Sequence, residues 1–347
     1  MIAFAVIGAN FGDEGKGLVT DYLCAKEGAE VVVRFNGGAQ AGHTVVTPEG
    51  RRHVHHHFGS GTLLGVPTYL SEYFICNPIL FIRELEELSD LRPQVWINPV
   101  CMVTTFVDML INQSEEDVRG DTRHGSCGVG VYATICRDKR RPLRMRDLWD
   151  RPEYVVDFIF NECKLRKEDF KPSIFSRHVE EFLTACKIMA ERTQPATMST
   201  FKNADTVVFE GAQGLLLDMD KRMYYPHLTP SKTGLHNVRF LLRQLDKPNF
   251  LKAYYVSRTY MTRHGAGPLP NENPNMSYVD YTNTPHPYQG SLRFADLNVD
   301  SLLDRIIDDS RGDANRLVLT HCDQRMMYID GCVRSFGPTR EHVRFEA

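Results

Sequence analysis

Apolar runs of β type recur at Ile2 to Gly8, Glu30 to Phe35, Thr206 to Glu210, Lys252 to Tyr260 and Leu317 to His321. Between them the apolar positions take helical spacing: Leu18, Tyr22 and Leu23; Ile79, Ile82, Leu85 and Leu88; Val179, Phe182, Leu183 and Cys186; Leu302, Leu303, Ile306 and Ile307. A continuous apolar strand must be covered on both faces, and each crossover supplies a covering helix. The alternation therefore predicts an α/β fold with a mainly parallel central sheet and helices on both faces. In such folds ligands collect at the carboxyl ends of the strands. No repeat or low-complexity tract divides the 347 residues, so a single domain over 1–347 is expected. Two stretches, near 120–146 and 265–293, are rich in Gly and Arg or in Pro and Asn and read as long loops beside the site.

The charge balance narrows the partners. With 41 Lys and Arg against 44 Asp and Glu, the net charge is -3, too little to hold nucleic acid or an anionic membrane by a global field. The nine cysteines, from Cys24 to Cys332, form no close pair and are expected to be reduced thiols. Ile2 to Ile7 runs into Gly8 without a basic start or a cleavage site, and no apolar run approaches the ~20 residues of a membrane span. A cytoplasmic location is the expectation.

The first strand ends in Gly8-Ala9-Asn10-Phe11-Gly12-Asp13-Glu14-Gly15-Lys16-Gly17 and then turns helical. Backbone N–H groups, a helix N-terminus and one lysine converge there, which is the makeup of a polyphosphate cradle. The spacing is not that of a Walker A loop, and no Ser or Thr follows Lys16. An acidic residue in such a loop is costly unless it holds a cation or moves a proton, so Asp13 is a functional candidate. The bland alternative is a glycine-rich turn with solvated charges. The second strand ends in Arg34-Phe35-Asn36-Gly37-Gly38-Ala39-Gln40-Ala41-Gly42-His43-Thr44, again glycines beside a titratable group. His43 alone would read as a structural histidine, but paired with Asp13 it reads as an acid or cation acting near neutral pH.

Together these loops resemble those of the adenylosuccinate synthetase family, G-D-E-G-K-G and G-G-x-N-A-G-H-T. The resemblance continues through Phe209-Glu210-Gly211-Ala212-Gln213-Gly214 with Leu217-Asp218-Met219-Asp220, and through Tyr260 to Pro268, which is similar to a T-R-V-G-x-G-P segment. Leu319-Thr320-His321-Cys322-Asp323 and Gly337-Pro338-Thr339-Arg340 resemble the family's L-T-K-x-D and G-P-x-R. The resemblance implies a two-step ligation: a nucleoside triphosphate phosphorylates O6 of a purine nucleotide, and the amino group of L-aspartate displaces the phosphate.

By the same resemblance Asp13 is the catalytic base and His43 offsets charge on the oxygen between purine and phosphorus. Gly12, Asp13, Glu14, Gly15, Lys16, Gly17, Gly42, His43, Thr44, Asp323, Gly337 and Pro338 would hold the triphosphate, with Mg²⁺ on Asp13 and the Gly42 carbonyl. Asp13, Gln40, Ser126, Cys127, Arg140, Gln213 and Thr229 would hold the purine monophosphate, Arg140 being donated across a homodimer interface. Thr284 and Arg293 would hold the aspartate. Read without the resemblance, Arg137 to Arg146 is a solvated basic loop.

The chain departs from the family's pattern in ways that bear on substrate. It is shorter than cellular members, largely between Asp323 and Gly337; Gln40 replaces an asparagine, and Pro287-Tyr288-Gln289-Gly290-Ser291-Leu292-Arg293 replaces an arginine-rich loop. His321 replaces the lysine whose stem packs along guanine, which makes ATP or dATP the expected donor rather than GTP. These features are similar to a short viral branch that makes N6-succino-2-amino-2'-deoxyadenylate from dGMP for diaminopurine DNA; membership would place the enzyme in host cytoplasm. Some members of that branch carry serine where Asp13 stands, yet a carboxylate can also accept a hydrogen bond from the guanine 2-amino group. The rival readings are an ordinary synthetase using IMP and GTP, a nucleotide switch without ligation, and a silent binding module.

Other clusters read as weaker. His53, His55, His56 and His57 precede Gly59-Ser60-Gly61 in a strand, where adjacent side chains point to opposite faces, and a metal site is not expected there. Gly125 to Gly130 is a poor dinucleotide fingerprint. Cys127 and Cys322 read as bystanders to the chemistry.

Overall fold

The computed structural model describes residues 1–246, 249–283, 285 and 288–345. The main sheet comprises β1 (Ile2–Gly8), β2 (Val31–Arg34), β3 (Thr68–Leu70), β4 (Val95–Ile97), β5 (Gln194–Pro195), β6 (Thr206–Glu210), β7 (Phe250–Arg258), β8 (Ala314–Thr320), β9 (Val333–Ser335) and β10 (Val343–Phe345). Their order is β10-β9-β8-β7-β1-β6-β2-β3-β4-β5. Neighbours run parallel except β9 and β10. The sheet is the α/β architecture expected, and all five anticipated strands lie in it.

The two faces of β1 show why. Ala3, Ala5 and Ile7 pack against Val238, Leu241, Leu302 and Ile306, from helices α8 (His236–Arg243) and α9 (Val299–Ser310). Phe4 and Val6 pack against Leu18, Val19 and Leu23 of helix α1 (Lys16–Glu27) on the other face. At about 1.5–3 kcal/mol for each large apolar side chain fully buried, this double cover specifies the register. A second core joins α2 (Pro78–Glu87), α3 (Phe106–Arg119), α5 (Met145–Asp150), α6 (Pro152–Leu165) and α7 (Pro172–Arg192) beyond the β3–β5 edge. β3 to β5 carry two or three residues each, too few to display a period; Pro195 is tolerated because β5 is an edge.

One expected loop is partly helical. Val131–Asp138 forms helix α4 within 120–146. Its buried face is Thr134 and Arg137 rather than an apolar stripe. The Arg137 guanidinium donates to Asp108 and to the Val103 carbonyl, and the Thr134 hydroxyl bonds the Gly130 carbonyl. Hydrophobic periodicity cannot find a helix held by a buried ion pair.

From β1 the chain crosses to β2–β5, returns to insert β6 between β1 and β2, then continues on the far side of β1 with β7–β9. The reversal opens a crevice at the carboxyl ends of β1, β6 and β7. Beside it, His43–Val46 pairs antiparallel with Arg52–His55, with His43 opposite His55.

Candidate active site

A cavity of about 690 Å³ fills this crevice, within the range of small-ligand sites. Gly12 to Gly17 line it from the turn after β1, and Gln40, Gly42, His43 and Thr44 from the turn after β2. Ser126, Cys127, Gln213, Thr229, Asp323, Gly337 and Pro338 complete the set of expected residues that reach it. Asp13 and His43 thus share one cavity, as the sequence reading required.

The first turn can be built only with its glycines. A side chain at Gly8 would collide with the Gln213 carbonyl and the Glu14 carboxylate, and Gly15, with φ 93°, caps α1 in the left-handed region. No side chain caps that helix end, so its amides are left for a ligand. Asp13 itself sits at φ 57°, and Arg258 Nε donates to its carbonyl at 2.6 Å. A left-handed aspartate is held in place by that bond, with its carboxylate 30% exposed.

The His264 Nδ1 lies 3.3 Å from the Asp13 carboxylate. Burial pushes the Asp13 carboxyl up, but the His264 bond and charge, with Arg258 and Lys16, outweigh it and hold the group below its ordinary value. Asp13 is therefore ionised at neutral pH. Glu14 goes the other way: burial raises its carboxyl to about 7, and one oxygen accepts the Asn10 amide while the other has no partner among the described residues. Burial lowers Lys16, against the pull of Glu14, Asp13 and Glu210. A cavity lysine starved of solvent gains most from an arriving phosphate.

His43 is 5% exposed, and its Nδ1 lies 2.7 Å from Glu210. Glu210 already accepts the Ser60 amide and hydroxyl, so His43 Nδ1–H is the donor and Nε2 is left with its lone pair and no partner among the described residues. Burial holds His43 down to about 4 despite Glu210. Burial thus favours the neutral ring, and Glu210 supports the imidazolium once negative charge enters the site. Glu210 was legible as part of a motif but not as a partner, since 167 residues separate it from His43.

The cavity wall also offers carboxamides. Gln213, at φ 58°, and Gln40 each present a buried side-chain oxygen with no donor among the described residues. Ser126 donates to Asn112 and accepts from the Gly128 amide. Burial raises Cys127 and Cys322 to about 11, so both are thiols. On the far side His321, at φ 60° and lowered to about 3 by burial, lies beside Asp323 and Gln324 in the cavity wall.

Some expected residues are elsewhere. Arg140 is exposed and does not line the cavity. Arg293 does not line it either: its guanidinium is taken up by Glu272 and by the Gly265 and Gly267 carbonyls. Thr284 lies outside the described residues. From the same loop Thr282, Asn283 and Gln289 reach the cavity instead. Arg258, Arg263, His264 and Asp280 also line it and were not anticipated; His264, standing where the family segment has valine, was the readable signal. The histidines of 53–57 do not simply alternate out of reach: His53, His55 and His57 share a face and all approach Glu84. His56 turns to the Ala39 carbonyl.

No helix among the described residues is long and apolar enough to cross a membrane. The nine cysteines are all free.

Residues 5–285 match the family model for adenylosuccinate synthetase. The adenylosuccinate synthetase of Pseudomonas fluorescens is 33% identical over 288 residues, covering 77% of this chain and 64% of that protein. That of Thermoplasma volcanium is 32% identical over 283 residues, with 77% and 63% covered. The chain thus spans just under two thirds of these relatives' length. Among solved structures, fully ligated adenylosuccinate synthetase from Plasmodium falciparum superposes with a TM-score of 0.75 at 21% identity, over 92% of this chain and 77% of that one. Cyanophage S-2L succinoaminodeoxyadenylate synthetase, bound to dGMP and dATP, superposes with a TM-score of 0.67 at 16% identity, over 99% and 95%. On the extent of the family match, with the glycine-rich turn after β1, His43 and Gln213 gathered in one crevice, this chain belongs to the adenylosuccinate synthetase family.

Proposed function

We propose that this protein is a C–N ligase that joins L-aspartate to C6 of dGMP through a 6-phosphoryl intermediate, driven by ATP or dATP. The observation that carries the reading is the single cavity holding an ionised Asp13, a neutral His43 backed by Glu210, and the uncapped end of α1. Asp13 takes the N1 proton of the purine, which makes O6 nucleophilic towards the terminal phosphorus. Lys16 and the turn amides hold the phosphates in line. His43 takes a proton from solvent at Nε2 as the anionic phosphates enter and hydrogen-bonds with it to the bridging oxygen, keeping the proton while Glu210 stabilises the imidazolium as charge develops. The aspartate amine then attacks C6 and phosphate leaves. Asp13 and Gly42 line the same cavity and offer a carboxylate and a carbonyl, hard oxygen donors that fit Mg²⁺. When bound, the ion neutralises charge on the phosphate oxygens.

Three observations support dGMP and an adenine donor. The unpartnered Gln40 and Gln213 oxygens suit a base edge with several N–H donors, and guanine presents N1–H and a 2-amino group where hypoxanthine presents N1–H alone. His321 removes the lysine stem that would pack along a guanine donor. The near end-to-end superposition on the cyanophage enzyme, whose structure holds dGMP and dATP, agrees in length as well as fold. The exposed Arg140 is free to serve a neighbouring subunit in a homodimer. The second reading, IMP with GTP, is favoured by the names of the sequence relatives and by retention of Asp13. A matrix of IMP, GMP and dGMP against ATP, dATP and GTP, assayed for phosphate release with and without aspartate, separates them. Aspartate-dependent turnover with dGMP and ATP or dATP is expected; turnover with IMP and GTP alone overturns the dGMP reading, and aspartate-independent hydrolysis overturns ligation.

A further inference from the structure

Directly behind the His43 hairpin lies a cluster that the ligation does not use. His53 and His55 stand two residues apart on one strand, so both rings turn to the same face and meet Glu84 of α2. His53 Nε2 is 3.7 Å and His55 Nδ1 4.0 Å from the same Glu84 oxygen. One ligand atom from each of the three residues falls within 4.8 Å of the others, and all three side chains are buried, at 6%, 0% and 3% exposure. We propose that His53, His55 and Glu84 bind one divalent transition-metal ion of the Zn²⁺ class, clamping the hairpin that carries His43 onto α2.

The polar bookkeeping of the cluster points to a ligand. Neither ring nitrogen of His55, nor Nε2 of His53, has a hydrogen-bond partner among the described residues, although these atoms are buried. A buried imidazole with an idle lone pair is costly in a dry pocket and well suited to a metal. Glu84 is an anion whose ion-pair distances among the described residues run only to histidines. Its oxygens accept the His56 and His57 amides at 2.8 and 2.7 Å, which fixes the carboxylate without neutralising it. A divalent cation supplies the missing charge.

The surroundings match what metal histidines require. The other nitrogen of His53 lies 3.5 Å from Glu87, the placement of an outer carboxylate that orients a ligating ring and directs its lone pair inward. His57 is excluded as a ligand: its Nε2 accepts the Asn77 amide, so Nδ1 carries the proton and points it at Glu84 at 3.5 Å. Two imidazoles and one carboxylate form a set that zinc takes with a fourth position open. Tetrahedral ligands about 2.0–2.1 Å from zinc stand roughly 3.4 Å apart; the three ligand atoms, now within 4.8 Å of one another, would draw together by between a few tenths of an ångström and about 1.4 Å on closing round the ion. His55 faces His43 across the ladder, which ties this site to the ring that meets the phosphate.

The test uses the full chain stripped of metal by a chelator. Titration with Co²⁺ should give visible d–d absorption saturating at one ion per chain, displaced by Zn²⁺ and not by Mg²⁺. X-ray absorption of the zinc form should read two imidazoles and oxygen. His55→Leu should weaken Co²⁺ binding by more than about 100-fold, exceeding the 10- to 100-fold typical of an outer partner such as Glu87→Gln. Asp13→Asn should leave it unchanged, which separates this site from the Mg²⁺ position in the cavity. Failure of the folded wild-type chain to bind one Co²⁺ or Zn²⁺ at micromolar concentration overturns the proposal. So does an absorption spectrum without imidazole, a result that stands even if His55→Leu does not fold.

Discussion

Replacing Glu210 by glutamine tests the link between burial and chemistry, because it changes charge and donor pattern while keeping shape. Glu210 is fully buried and accepts from His43, from the Ser60 hydroxyl and from the Ser60 amide, with Arg34 at 4.0 Å. A carboxamide cannot satisfy all of these. With its oxygen towards the Ser60 amide, its NH₂ faces His43 Nδ1 and forces the proton to Nε2; in the other orientation two N–H donors confront each other. Either way the imidazolium loses its counter-charge, and a wrong tautomer at a comparable carboxylate–histidine pair is worth ~10² to 10⁴ in kcat, about 3–5 kcal/mol of barrier. Arg34 loses the nearer of the two carboxylates that act on it, Glu84 being the other, a loss of about 3 kcal/mol at the lower end for broken buried pairs. For 347 residues at about 2.1 cal/mol/K each, that lowers Tm by roughly 4 °C. The assay is aspartate-dependent phosphate release across pH, beside thermal unfolding. Activity should fall by two to four decades, with its basic limb displaced to lower pH. A variant that loses the 4 °C yet keeps kcat within threefold and an unmoved pH profile would show that Glu210 serves only Arg34, and the proton relay would be refuted.

The other expectations are simpler. Asp13→Asn should retain triphosphate binding, read by calorimetry, while ligation drops ~10² to 10⁴-fold; near-full turnover would remove Asp13 as the base. His264→Val takes away the bond and charge that hold Asp13 low, so the acid limb of the rate profile should shift to higher pH, and an unchanged limb would show that the pair is idle. Stability of the metal-free chain should fall with acid below pH 6.5. His43 and His55, lowered to about 4 and 3, take up protons on unfolding, each contributing about 1.4 kcal/mol per pH unit through that window. Glu14, raised to about 7, works in the opposite sense between pH 4.5 and 7, so the net slope is near one histidine's worth there and should steepen below pH 4.5, where Glu14 drops out and Glu210, held down to about 2, also takes up a proton on unfolding. Denaturant midpoints flat from pH 6.5 to 4 would contradict the neutral buried rings.

Much of the site was readable because its chemistry sits in contiguous turns. Residues 8–17 and 36–44 follow apolar strands directly, so once those strands are parallel neighbours of one sheet the turns must open on the same edge. The loop near 265–293 was not readable in this way. Arg293 was expected in the site, but Glu272 and two carbonyls hold it, and polar side chains of the same loop face the cavity. Loop residues have no period, and which of them points inward is settled by contacts with distant carbonyls. Helix α4 escaped for a related reason: its inward face is an arginine and a threonine.

The amino-acid order by itself determined the layered α/β plan and the glycine-rich turn after β1, since strand period, glycine placement and helix start are local properties of the chain. Only the tertiary structure decided the protonation of the groups that act there. Asp13 is ionised because His264, 251 positions away, lies 3.3 Å from it, and His43 is neutral because it is buried against Glu210. The proximity of His53, His55 and Glu84 was decided in the same way, by α2 packing on a hairpin. Desolvation and charge act through space over a few ångströms, and sequence spacing carries no information about that distance.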